Sequence, residues 1–191
     1  FKNFALSLEN AGHKVLWDTP GGIPVIWSVL WHGRMYPNKK IWDDARMQKQ
    51  PIIILEVGGI QRGKTWKIGL NGVNRNGYFA PTGNNDIRKK KLGINAKPWR
   101  LEGEHILICC QHDKSEQWRN QDSISVWVEK TINNIRKYSL RKIVVRPHPR
   151  CPVKLNRSDV HLEKPIKLYN TYDDYNLNFR NVWAVVSHSS N

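Results

Sequence analysis

The sequence predicts an α/β protein built as two lobes around parallel sheets, and three observations carry that expectation. Short apolar runs, Ile106 to Cys110, Ile143 to Arg146 and Val182 to Val186, alternate with a helical or polar crossover, as strand–crossover–strand units do. Each run ends in polar or glycine residues, which is how an open sheet displays a site along its carboxyl edge. The apolar periodicity fades over residues 83–103, where the basic run Arg88-Lys89-Lys90-Lys91 reads as an exposed connection. The chain therefore divides into a lobe over 1–82, a linker over 83–103 and a lobe over 104–191.

In the first lobe, Phe4, Leu8 and Ala11 fall at helical spacing and Gly12 stops the helix. Lys14 to Trp17 reads as a strand ending at Asp18, and Val25 to Leu30 as another ending at Trp31-His32-Gly33-Arg34. Asn38 to Gln50 carries helical periodicity, and Pro51 to Leu55 reads as a buried strand running into Glu56-Val57-Gly58-Gly59. Asp18, His32 and Glu56 are expected to meet at one sheet edge. Gln61 to Phe79, rich in Gly and Asn, reads as loops and short strands.

The second lobe repeats the logic. The strand over Ile106 to Cys110 ends at Gln111-His112-Asp113. Asp122 or Ser123 caps a helix whose apolar face holds Ile124, Trp127 or Val128, Thr131, Ile135 and Tyr138. Ile143 to Arg146 leads to His148, which is held between Pro147 and Pro149; each proline biases the residue before it towards extended geometry. The last strand ends at Ser187-His188-Ser189-Ser190-Asn191. Gln111, His148, Ser189 and Ser190 thus reach one carboxyl edge and suit a phosphate or carboxylate, with Arg146 beside them. His112 reads as structural. A helix following Ser190 would complete such an anion site with its free amides, so the sequence reads as an internal piece of a longer protein, inactive by itself.

Composition narrows the classes. Hydrophobic residues make up 39% of the 191, and no run approaches the roughly 18 apolar residues that cross a bilayer. Three cysteines without CxxC spacing point to buried thiols in a cytoplasmic protein, not to disulfides or a zinc site. The net charge of +15, from 31 Lys and Arg against 16 Asp and Glu, favours an anionic partner. Nucleotide, acidic glycan, membrane surface and nucleic acid all qualify. Most of the nine tryptophans sit in apolar patterns and read as core.

Glu56 facing a bound anion from the other lobe suits a general base, with Asp18 as the other candidate acid. Glu56-Val57-Gly58-Gly59-Ile60-Gln61-Arg62, then Ile106 to Gln111, then Arg146-Pro147-His148-Pro149, then Ser189-Ser190, together resemble bacterial capsular-polysaccharide transferases of the Kdo-transferase type. They resemble bacterial sialyltransferases and polysialyltransferases more loosely, and the likeness spans residues 25–191.

It implies a GT-B fold of two Rossmann-like lobes, a CMP-activated acidic sugar as co-substrate, no other cofactor, and no metal. An anionic polysaccharide or glycolipid acceptor and a place at the inner membrane surface are implied with it. On that likeness His148, Ser189 and Ser190 bind the donor phosphate and Gln111 supports them. Glu56 and Gly58 belong to an acid-acid-glycine motif, and Arg62 follows it. Val57 stands where the family has its second acid, so Glu56, Asp18 or a changed activity answers for the reaction. Asp43-Asp44 and Asp173-Asp174 read as helix-surface acids rather than an Asp-x-Asp metal motif. A nucleic-acid-binding or DNA-modifying protein and a nucleotide-sugar epimerase are the competing readings.

Overall fold

The computed structural model describes residues 1–60, 64–74, 76–79, 85–165 and 179–189. Helix α1 (Lys2–Asn10) precedes strand β1 (Val25–Trp27), helix α2 (Pro37–Met47) and strand β2 (Ile53–Val57). Pro37 opens α2 at a position where its missing N–H costs nothing. Asp43 and Asp44 pair with Lys39 and Lys40 one turn earlier, as surface acids do. Strands β1 and β2 run parallel, with Val25 opposite Ile53 and Trp27 opposite Leu55. Strand β3 (Trp66–Leu70) then joins β2 antiparallel, so the first sheet is mixed, in the order β1-β2-β3, rather than parallel throughout. Ile26, Val29, Trp42, Ala45, Ile52, Ile54 and Val73 form its core.

Residues 14–17 do not form the expected strand. Leu16 and Trp17 are exposed, and no described strand pairs with the segment to satisfy a strand's backbone groups. Among the described residues of the expected linker one short helix, α3 (Ile87–Lys91), carries the basic run.

The second sheet comprises β4 (His105–Cys109), β5 (Lys142–Arg146), β6 (Val160–Leu162) and β7 (Val182–Ser187). All its pairs are parallel, and its order is β6-β5-β4-β7. Helix α4 (Ile124–Arg136) makes the crossover from β4 to β5. Ser123 caps it, accepting a hydrogen bond from the Val126 N–H at 3.4 Å. Its Ile124, Val128 and Ile132 pack on Ile108, Ile143 and Val145 of the sheet. Leu107, Val144 and Val182 are buried on the opposite face. Tyr138 lies past the end of α4 and is exposed, outside the face the periodicity gave it.

Numbered within this sheet alone, the strands run 3-2-1-4, the order of a Rossmann half. Strand order reverses between β4 and β7, and in open α/β sheets the carboxyl edge at such a reversal is where ligands bind.

The tryptophans divide differently from the expectation. Trp42 and Trp118 are buried, Trp27, Trp31, Trp127 and Trp183 partly so, and Trp17, Trp66 and Trp99 are exposed. Cys109, Cys110 and Cys151 are free thiols; Cys110 and Cys151 are buried, and burial pushes the Cys110 thiol up to about 12. Among the described residues no helix is long and apolar enough to cross a membrane.

Candidate functional site

The carboxyl ends of β4 and β7 bring Gln111 and Ser189 together. The Ser189 hydroxyl donates to the Gln111 side-chain oxygen, and Gln111 is itself buried. The two residues expected to share an anion site are therefore in contact at the point where the strand order reverses.

Next to them stand two imidazoles held in the same way. The His148 Nδ1 accepts the Arg150 N–H at 3.1 Å, and the His112 Nδ1 accepts the Lys114 N–H at 3.1 Å. An imidazole whose Nδ1 accepts a backbone N–H carries its proton on Nε2 when neutral, so both rings have Nε2–H as their donor. Their centroids are 5.3 Å apart. A bridge between His148 and Cys151 closes the turn that Pro147 and Pro149 begin. Burial holds the His112 pKa below its ordinary value, with His32, Lys114 and Arg150 adding to the effect and Asp113 opposing it.

His32 lies 5.7 Å from His112, centroid to centroid. It arrives there because the chain leaving β1 crosses to the chain leaving β4. Leu30 and Ser115 form an antiparallel bridge, the Glu116 N–H donates to the Val29 carbonyl at 2.9 Å, and the Trp31 indole N–H donates to Glu116 Oε2 at 3.1 Å. The edges of both sheets thus meet at one site.

Glu56 belongs to the same edge. Its Oε2 accepts the Ser28 hydroxyl at 2.7 Å and its Oε1 accepts the Val57 N–H at 2.9 Å, so the carboxylate is held at both oxygens. Lys67 stands opposite it in the antiparallel pair. Val57 is buried and faces Trp66 across the pair, so it is a core position. Gly58 is needed for packing: a Cβ there would lie 2.5 Å from the Thr65 carbonyl oxygen.

Two expected residues are placed otherwise. Asp18 is exposed, with a backbone φ of 49°, and no described hydrogen bond or ion pair joins it to Glu56. It precedes the Thr19-Pro20-Gly21-Gly22 turn, which Gln50 holds by a 2.5 Å bond to the Gly22 carbonyl, at the end of β2 away from Glu56. Arg146 grips Glu163 with two bonds, Nε to Oε2 at 2.6 Å and Nη2 to Oε1 at 3.0 Å, so it braces β5 against the end of β6. Arg62 and Ser190 lie outside the described residues, as do Asp173 and Asp174.

Sequence reasoning missed Ser28 and gave His112 only a structural part. A signal existed for His112, which follows β4 as His148 follows β5. None existed for Ser28, whose φ of 62° turns its hydroxyl towards Glu56 by backbone geometry alone.

Beside this edge lies a cavity of about 340 Å³, lined by Val29, Trp42, Arg46, Asn71, Asn76 and Glu116 among others. The Arg46 guanidinium stacks on the Trp42 ring at 5.4 Å. His112, Asp113 and Cys151 also place possible ligand atoms within 4.8 Å of one another. Lys114 and Arg150 add positive charge there, and the Lys114 N–H engages His112 Nδ1, so the surroundings suit an anion better than a cation. Comparison of the chain with protein-family models, curated proteins and solved structures finds no match.

Proposed function

We propose that the protein is a glycosyltransferase of the GT-B type, moving an acidic sugar from a nucleotide donor such as a CMP-sugar to a hydroxyl of a surface glycan or glycolipid. The observation that carries this reading is the Gln111–Ser189 contact at the strand-order reversal, flanked by the Nε2–H donors of His112 and His148. Preorganised donors at such an edge fit the phosphate of a nucleotide.

In this reading Glu56 takes the proton of the acceptor hydroxyl. The acceptor oxygen bonds to the anomeric carbon of the donor sugar as the bond from that carbon to the phosphate oxygen breaks. The nucleotide leaves with the bonding electrons, and the imidazole N–H groups and the Gln111 amide N–H, oriented by Ser189, stabilise its charge. The amide-rich cavity that Val29 and Glu116 help to line, with Arg46 on Trp42, gives the acceptor a place.

The test is a thermal-shift titration with CMP, UDP, GDP and duplex DNA at low and high salt. A ligand at a hundred times its Kd adds about 2.7 kcal/mol to the native state. A shift with one nucleotide, lost in His148→Ala and in Ser189→Ala, supports the reading. A salt-sensitive shift with DNA alone overturns it in favour of nucleic-acid binding.

A further inference from the structure

Because β4, β5 and β7 run parallel, the segments that enter them share one edge of the sheet, opposite the edge that carries Gln111 and His148. Among the described residues the four most exposed large apolar side chains are Trp99 (95%), Leu140 (93%), Tyr138 (89%) and Leu101 (88%). All four lie in the segments entering β4 and β5. Those segments touch: the Arg141 Nε donates to the Gly103 carbonyl at 3.2 Å, and its guanidinium lies 4.4 Å from the Trp183 ring centroid. Arg100 ties in the start of β7, donating to the Arg180 carbonyl at 2.9 Å and the Val182 carbonyl at 3.0 Å.

Single exposed apolar residues are ordinary on a protein surface, but four at one sheet edge are not. Their surroundings are basic. Lys97, Arg100, Lys137, Arg141 and Lys142 occupy the same segments, and none of these five forms an ion pair with a described acid. The acids there are Glu102 and Glu104, and Glu104 accepts a bond from Asn181. Exposed Trp and Tyr, with leucines between them and cationic side chains around them, match the boundary between lipid headgroups and acyl chains, where each type finds its preferred surroundings.

We propose that this edge docks the protein on a bilayer surface rich in anionic phospholipid. Trp99, Leu101, Tyr138 and Leu140 enter the headgroup region, and the lysines and arginines meet lipid phosphates. The docking does not depend on the transferase reading, though it has a consequence for it. Five-residue strands rise roughly 16 Å from one edge of the sheet to the other, so the Gln111 and His148 edge stands clear of the lipid and faces away from it. A glycan chain anchored in the same bilayer reaches a site at that height.

Co-sedimentation with vesicles tests this, comparing phosphatidylcholine alone with phosphatidylcholine containing phosphatidylglycerol. The expected result is binding to the anionic vesicles alone, weakened by salt and reduced at least about tenfold by Trp99→Ser combined with Leu140→Ser. Tyr36→Ser with Met47→Ser, which removes exposed apolar groups from the first lobe, leaves binding intact. Failure to bind anionic vesicles overturns the proposal, and so does undiminished binding by the Trp99/Leu140 variant. A self-association seen in sedimentation velocity and abolished by that variant would also overturn it, assigning the edge to a second copy of the chain. Nucleotide shifts recorded on the same variant separate this outcome from the fate of the transferase reading.

Discussion

The Ser28 hydroxyl and the Glu56 carboxylate are 2.7 Å apart, and Ser28 reaches that distance with its backbone in the left-handed region. The same oxygen also accepts the Leu30 N–H at 3.2 Å, so one side chain orients the acid and begins the crossing to the second sheet. Ser28→Gly keeps the backbone conformation, which glycine adopts freely, and removes the CH2OH group that carries both hydrogen bonds. Transfer is expected to fall about tenfold in this variant, against about a hundredfold or more in Glu56→Gln, with nucleotide binding unchanged in both. Steady-state kinetics alongside nucleotide titration make the comparison, and equal kinetics for Ser28→Gly and the parent protein would remove Ser28 from the site.

The motif departure at Val57 yields a second expectation. An acid placed there enters the core against Trp66, not the site. Val57→Asp is expected to cost about 3 kcal/mol or more in stability and to restore nothing in activity. Urea denaturation reads the first quantity and a transfer assay the second.

Gly58→Ala addresses the neighbouring position. The added methyl meets the Thr65 carbonyl oxygen and hydroxyl, each 2.5 Å away, at the point where the Gly58 N–H bonds the same carbonyl at 3.0 Å. Relief requires β2 and β3 to part, at an expected cost of about 1–3 kcal/mol by equilibrium unfolding.

His112 gives stability a pH dependence of definite sign. Its folded-state pKa lies below the ordinary 6.5, so as pH falls through that value the unfolded chain takes up a proton before the folded one does. The unfolded state then binds more protons, and stability declines as pH drops from about 6.5 towards the folded-state pKa; above that window the contribution is complete. Melting temperature followed between about pH 7 and pH 5 is expected to fall, with a shallower slope in His112→Asn.

Much of the second sheet could be read directly. Ile106–Ile108 and Ile143–Val145 are buried on both faces, so they appear as unbroken apolar runs, and burial in a parallel sheet produces that pattern. β6 escaped notice because Val160-His161-Leu162 is short and partly exposed. β3 was expected only as one of the short strands within Gln61 to Phe79, without bounds, because Lys67 and Gly69 interrupt its pattern, while partnership with β2 supplies what propensity lacks.

Residues 14–17 show the reverse case, strand propensity without a partner. Gln111, His148 and Ser189 were visible because parallel strands deliver their last residues to a common edge. The way Glu56 joins them was not, because it depends on Leu30 meeting Ser115, a pairing between distant segments to which neither segment's own pattern points.

That pairing also bears on motion. A relative turn of the two sheets that keeps the backbone bond from Glu116 to Val29 has its axis near the Leu30–Ser115 bridge. Glu56 and His112 lie within a few residues of that pivot or are bonded to one that does, so they sweep small arcs while more distant parts of the two sheets sweep large ones. In a turn of that kind the side chains of the site keep their register while the space between the more distant parts of the two sheets changes width.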